Sequence, residues 1–240
     1  MCGRLALFSP PASFARYLEA TLGTAYATEP SPSWNVPPTS GIPGLLLAPN
    51  GSGRVLSRFR WGLLPHWAKD ASFSSKTFNA RAETVATKPS FRAAFAARHL
   101  LVPMDGYYEW ATLGPTLKQP YFITRADGAP LVAAGLWEEW RDPAGGADAP
   151  VVRSCTIITT AAGADVGHLH DRMPVVVEPD RFDLWLDAGA SNTAAVEALL
   201  QPAPAGTLQA QTASKAVGSI RNDGPQLLVA DPDLEGAGST

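Results

Sequence analysis

The run that decides the fold reads LLVPMDGYYEW (100–110), PYFITRA (120–126), PLVAAGLWEEW (130–140) and VVRSCTIITT (151–160). Each piece is dense in aliphatic, aromatic and β-branched residues, and turn-forming residues separate them. Four successive strands are therefore expected. RDPAGGADAP (141–150), between the last two, is expected to be a flexible loop. Upstream, GLLLA (44–48) and VLSRFRWGLL (55–64) flank PNGSG (49–53), the pattern of a hairpin. LALF (5–8) and MPVVVE (173–178) read as further strands. Helices are fewer and shorter. Pro11 opens ASFARYLEATL (12–22), where Phe14, Tyr17, Leu18 and Leu22 fall at helical spacing. Short helices are also expected from Pro89 to about Arg98, over RFDLWLDA (181–188) and from Thr193 to Leu200, with one turn after Gly163.

Strands dominate, helices sit at the edges, and no internal repeat or composition break divides the chain. The expectation is a single α+β domain over residues 1–230, with 231–240 as a loose tail. Hydrophobic residues make up 45% of the 240, enough for a substantial core. Charged residues reach 17%, below the roughly 25% of ordinary globular chains. The 21 Gly and 22 Pro fit many turns. No apolar run approaches the roughly 18–20 residues of a membrane span. The opening MCGRLALFSPPA lacks the basic segment and long apolar stretch of a secretory signal, and two cysteines are too few for a disulfide framework. A cytoplasmic thiol protein is the expectation.

Net charge is only −3, but its distribution is uneven. Residues 51–100 hold nine Lys and Arg against two Asp and Glu, while residues 101–240 hold eight against eighteen. One basic surface on a mildly acidic protein is one reading, and a chance cluster of solvated charges is the other.

Cys2 follows the initiator Met and is small enough for an aminopeptidase to remove Met1. The new terminus would carry an α-amine with a pKa of about 7.7–8.0 beside a thiol near about 8.5. An amine condenses with an aldehyde to an imine, and a neighbouring thiol closes on it to form a five-membered thiazolidine. By position alone, Cys2 is equally a small apolar residue opening a strand.

Polar residues crowd four segments that adjoin apolar stretches: CGR (2–4), FNARAET (78–84), DGYYEW (105–110) and HDRMP (170–174). Burying such groups is costly unless they are paired or functional. WNVPPT (34–39) and RWGLLPHWAKD (60–70) complete an ordered set of six. Taken singly, Asn79 is equally a turn residue, Glu109 a strand carboxylate paired with an arginine, and His170 a satisfied core histidine.

The ordered set resembles the SRAP family, proteins named as SOS-response-associated peptidases and later understood as abasic-site sensors. The resemblance runs from Cys2 to about Val177 and more thinly to about residue 230. It implies a β-rich domain with a barrel-like mixed sheet core and short peripheral helices. It also implies covalent capture of the ring-opened aldehyde of an abasic site in single-stranded DNA, a lyase-like crosslinking activity. In that scheme Cys2 crosslinks, and Asn79 holds the N-terminus and the sugar remnant. Glu109 is the general acid/base, and His170 is a second proton-transfer or phosphate-neighbouring group.

Arg4, Arg81 and Arg172 each stand two residues from Cys2, Asn79 and His170. If those segments are extended, each shares a face with its site residue and is placed to bind phosphate. Trp67, with Pro38 and Leu64 near it, would offer a surface for base stacking. Trp34, Trp61, Trp137, Trp140 and Trp185 read as core, Cys155 as buried and inert, and Lys88 and Arg92 as weaker DNA candidates. His66, His99, His168 and His170 form no usual metal-ligand pattern with the cysteines, and no phosphate-cradling glycine motif is present, so neither metal nor cofactor is expected. The partner expected is single-stranded DNA with abasic sites, bound by a monomer away from any membrane. Two alternatives stay open: a cysteine-type peptidase or amidase with Cys2 as nucleophile, and a non-covalent single-strand binding module.

Overall fold

A computed structural model of the chain describes residues 2–48, 51, 53–115, 117–146, 148–187 and 193–231. In chain order the elements are β1 (Leu5–Leu7), α1 (Pro11–Tyr17), β2 (Ala20–Leu22), β3 (Ser33–Val36), β4 (Gly41–Leu47), β5 (Arg54–Trp61) and β6 (Asn79–Arg81). Then come α2 (Arg92–Phe95), β7 (His99–Met104), β8 (Gly106–Thr112), β9 (Lys118–Arg125), β10 (Leu131–Arg141) and β11 (Val151–Ala161). The chain continues through β12 (Arg172–Pro174), α3 (Phe182–Leu186), α4 (Thr193–Ala198) and β13 (Leu208–Thr212).

Five strands close on themselves. β5, β4, β7, β10 and β11 pair antiparallel in that order. β11 then returns to β5 in parallel through Ser154–Arg60 and Cys155–Trp61. That parallel seam makes the barrel mixed, as expected, and leaves no open edge between those two strands. β2, β6 and β12 extend it. A second sheet, β13-β9-β8-β1-β3, is antiparallel throughout.

Every residue of β7 is buried, because both of its faces are covered. Leu101, with Leu45, Leu56, Val132, Ala134 and Ile158 of the neighbouring strands, packs against helix-side residues Phe14, Phe95, Phe182 and Trp185. Leu100 and Val102, with Ile42, Phe59, Trp61 and Ile157, pack against Leu5, Tyr107 and Ile123 of the second sheet, and Cys2 lies in this cluster. Each large apolar side chain so enclosed contributes about 1.5–3 kcal/mol relative to exposure.

Four sequence expectations need correction, the first being MPVVVE, of which only Met173 and Pro174 lie in a strand, β12. LLVPMDGYYEW is not one strand: it breaks at Asp105 into β7 of the barrel and β8 of the second sheet. The corner is held by the Asp105 carboxylate, which accepts from Phe8 N at 2.7 Å and Ser9 N at 2.9 Å. Helix 12–22 stops at Tyr17, and Ala20–Leu22 pairs in parallel with β5. The open edge of β5 offers that segment backbone partners, and Arg54 Nη1 takes the Leu18 carbonyl at 3.0 Å. The helix expected from Pro89 shrinks to α2. Pro49, Asn50 and Ser52 of PNGSG and the tail beyond Asp231 lie outside the described residues, though the carboxylate of Asp231 accepts from Ser214 Oγ at 2.7 Å. No helix among the described residues is long and apolar enough to cross a membrane.

Candidate functional site

Cys2 is fully buried, at 0% exposure, just ahead of β1. Its carbonyl accepts a hydrogen bond from Asn79 Nδ2 at 2.6 Å. Asn79 is well anchored: β6 pairs with β11 at Ile157–Asn79. The preceding Phe78 carbonyl takes Trp61 Nε1 at 2.9 Å. Ala80 points into the helix-side core, so alternation turns Asn79 and Arg81 the other way.

The Leu5–Tyr107 pair lays β1 along β8. Tyr107 and Glu109 share a face of β8 by their spacing of two, and both are buried. Burial pushes the Cys2 thiol well above its ordinary range, and the negative charge of Glu109 adds to the effect. Burial thus favours the neutral thiol over the thiolate at this position. The Tyr107 phenol is also pushed up, first by burial and then by Cys2 and Glu109. Its hydroxyl, like Asn79 Oδ1, is buried without a hydrogen-bond partner among the described residues.

β6 and β12 both pair with Thr159 of β11 and so flank it on opposite edges. This brings FNARAET and HDRMP together across one strand. Arg172 spans the gap: its guanidinium grips the Glu83 carboxylate with both terminal nitrogens, one at 3.0 Å, and donates to Thr159 O at 2.5 Å. His170 stands two residues ahead of β12. Its Nδ1 lies 3.0 Å from Arg172 N–H and 2.8 Å from Asp171 Oδ1. One nitrogen cannot serve both. The neutral ring protonated on Nε2 accepts from Arg172, and the protonated ring donates to Asp171.

The three arginines fare differently. Arg81 is exposed beside Glu83, as alternation expects. Arg172 is occupied by Glu83. Arg4 turns away from Cys2: its Nη1 donates to Asn35 Oδ1 at 2.8 Å and Val217 O at 3.3 Å. Residues 2–4 precede β1, so strand alternation does not govern them. Trp67 is 46% exposed, edge-on to Phe73 at 5.2 Å. Leu64 is buried with Ala68 and Trp140, so it supports that surface rather than forming it. Pro38 is half-buried in a turn pinned by Thr39 N–H to Trp61 O at 2.7 Å, with Thr39 at φ 72. Lys88 and Arg92 are exposed. Of the tryptophans read as core, Trp61, Trp140 and Trp185 are buried, while Trp137 is half-buried and Trp34 is half-buried and stacked on Phe8. Cys155 is buried and its thiol strongly raised.

Reasoning from sequence missed Tyr107, Glu83 and Asn35. The first two had a usable signal, each standing two residues along a strand-like segment from a residue already singled out. Asn35 lies inside WNVPPT, but its role could not be read there, because its amide serves the distant carbonyls of Ser219 and Asn222 at 2.9 and 2.7 Å.

A closed mixed barrel with a buried cysteine held between its seam strand and a second sheet defines a class of protein, and the comparisons give its family. The family model described as SOS response associated peptidase (SRAP) matches residues 1–220, and the chain belongs to that family. It is 36% identical over 230 residues to abasic site processing protein YoqW of Bacillus subtilis, which covers 95% of this chain and 99% of that protein. It is 33% identical over 227 residues to abasic site processing protein HMCES of Gallus gallus, which covers 82% of this chain and 66% of that protein. A solved protein structure from Bacteroides thetaiotaomicron matches in fold with TM-score 0.82 at 22% identity, over 96% of this chain and 100% of that one. Another from Bordetella bronchiseptica matches with TM-score 0.74 at 28% identity, over 89% and 100%.

Proposed function

We propose that this chain processes abasic sites in single-stranded DNA, acting as a monomer that captures the lesion covalently through Cys2. The observation that carries the reading is the setting of Cys2. Its carbonyl is clamped by Asn79, and its thiol feels the charge of Glu109. The relatives named abasic site processing proteins supply the substrate class.

Removal of Met1 frees the α-amine. The amine adds to the ring-opened C1′ aldehyde, and loss of water gives the imine. The sulfur then bonds to the same carbon while the thiol proton passes to nitrogen, closing the thiazolidine with atoms balanced. That last transfer moves a proton from sulfur to nitrogen, and Glu109 is the carboxylate at hand to relay it. An abasic sugar is a slim chain without a base, so it reaches a buried group that an intact nucleotide does not. Arg81 and Trp67, both exposed, would meet the strand's phosphates and bases.

The test is a denaturing gel of protein mixed with abasic or intact single strands. A shifted band should form only with the abasic strand, vanish in Cys2→Ala, and be blocked by methoxyamine. Peptide cleavage without a shifted band would favour a peptidase, and native retention of both strands without a covalent band would favour a binding module.

A further inference from the structure

One polar group packed in the Cys2 cluster has no part in holding the fold. Tyr107 is fully buried, at 0% exposure, and its hydroxyl has no hydrogen-bond partner among the described residues. Enclosing an unpaired hydroxyl costs stability, and phenylalanine would fill the same space without that penalty. A catalytic role is one of the reasons such a group is retained.

Register points to that role. Tyr107 pairs with Leu5 of β1 on one side and Ile123 of β9 on the other, and all three belong to the cluster that holds Cys2. Glu109, two residues along β8, shares the face. Burial first, and then Cys2 and Glu109, push the phenol pKa up, so the group stays protonated and remains a donor. Tyr108 is the contrast. Its hydroxyl is also buried and unpartnered, but it faces the other way, with its ring 5.0 Å from Phe122 in a cluster with Ala6 and Val217.

The capture chemistry offers such a donor one acceptor. As the amine nitrogen bonds to C1′, negative charge collects on the aldehyde oxygen until one amine proton reaches it. That oxygen must then depart as water. The C–O bond breaks as C=N closes, and the second amine proton leaves with the hydroxyl. A fixed donor in a buried site stabilises the oxygen while it carries that charge. The phenol need not give up its own proton.

We infer that Tyr107 is a further catalytic residue of this chain, its hydroxyl donating a hydrogen bond to the C1′ oxygen while the amine adds and water is lost. The inference rests on the function proposed above and assigns a group to one step of it.

The experiment compares Tyr107→Phe with Tyr108→Phe, the same change on the opposite face of the same strand. Crosslinking is timed at saturating abasic strand. Imine formation is timed separately by trapping with sodium cyanoborohydride at neutral pH. Strand affinity is read by fluorescence anisotropy on a reduced abasic analogue that cannot crosslink, and each variant is melted. Tyr107→Phe should slow crosslinking at least about tenfold. It should slow reductive trapping equally, because the imine precedes both products. Its strand affinity should match the wild type, and its melting temperature should be no lower. Tyr108→Phe should crosslink at the wild-type rate. Imine trapping at the wild-type rate in Tyr107→Phe overturns the assignment, as does equal slowing in Tyr108→Phe. Slower capture accompanied by weaker strand binding or a lower melting temperature makes the hydroxyl structural and overturns it too. In each of these cases the wild-type chain still crosslinks and the proposed function stands. A wild-type chain that forms no adduct removes that function and this inference with it.

Discussion

Asn79→Ala isolates the clamp on Cys2. The substitution removes one 2.6 Å hydrogen bond, Asn79 Nδ2 to the Cys2 carbonyl, and leaves that carbonyl beside a fully buried residue without its donor. A buried polar group stripped of its partner costs about 1–3 kcal/mol. If the clamp positions Cys2 for attack, that cost falls on the capture step and slows crosslinking about 5- to 150-fold. The strand itself should survive, because β6 is held to β11 through backbone pairing at Asn79, Ala80 and Arg81. The melting temperature should therefore drop by no more than roughly 2–4 °C per kcal/mol lost. Asn79→Asp should be slower still, since a carboxylate would face the carbonyl oxygen near Glu109. The assay is a time course on a denaturing gel at saturating abasic strand, with a melt of each variant alongside. Crosslinking at the wild-type rate in Asn79→Ala would refute the clamp.

Glu83→Gln should release Arg172 from its ion pair, so that intact single strands bind more tightly and the salt slope steepens by about 0.7; an unchanged slope would show that Glu83 does not compete with phosphate. Stability should fall on acidification through His99, which is buried between Phe95 O at 2.6 Å and Trp185 O at 3.0 Å. Both carbonyls favour the cation, but burial outweighs them and lowers the pKa. The unfolded chain therefore binds the proton more readily, and the contribution of His99 is fully present above about pH 6.5 and lost as pH falls through the lower folded value. Urea midpoints measured above and below that window should show the loss, and His99→Gln should flatten it. Gly106→Ala would place a Cβ 2.5 Å from Ile123 O, a backbone atom in the paired strand. Overpacking of about 1–3 kcal/mol is expected, read as a lower urea midpoint.

The strands were legible where alternation and turn chemistry act locally, as in β9, β10 and β11. What escaped was set by partners distant in sequence. Nothing within LLVPMDGYYEW says that its two halves join different sheets, although Asp105-Gly106 is itself a turn signal. The cause is the Asp105 carboxylate meeting Phe8 and Ser9, which requires the fold. Residues 20–22 carry helical spacing, and only the waiting edge of β5 makes them a strand. In the site, Asn79 lies against Cys2 and Glu109 lies within its electrostatic reach, both picked out by resemblance. The arginines show the limit of spacing arguments. Arg81 sits on a real strand and obeys alternation, whereas Arg4 lies ahead of one and latches Asn35 and Val217.

Tandem mass spectrometry of the crosslink, after nuclease and protease digestion, is the most direct measurement. Capture by the terminal amine and thiol predicts a sugar remnant on Cys2 of a chain lacking Met1, with a sulfur that no longer alkylates. A remnant on a lysine, or a Cys2 that still alkylates after the adduct forms, would contradict it.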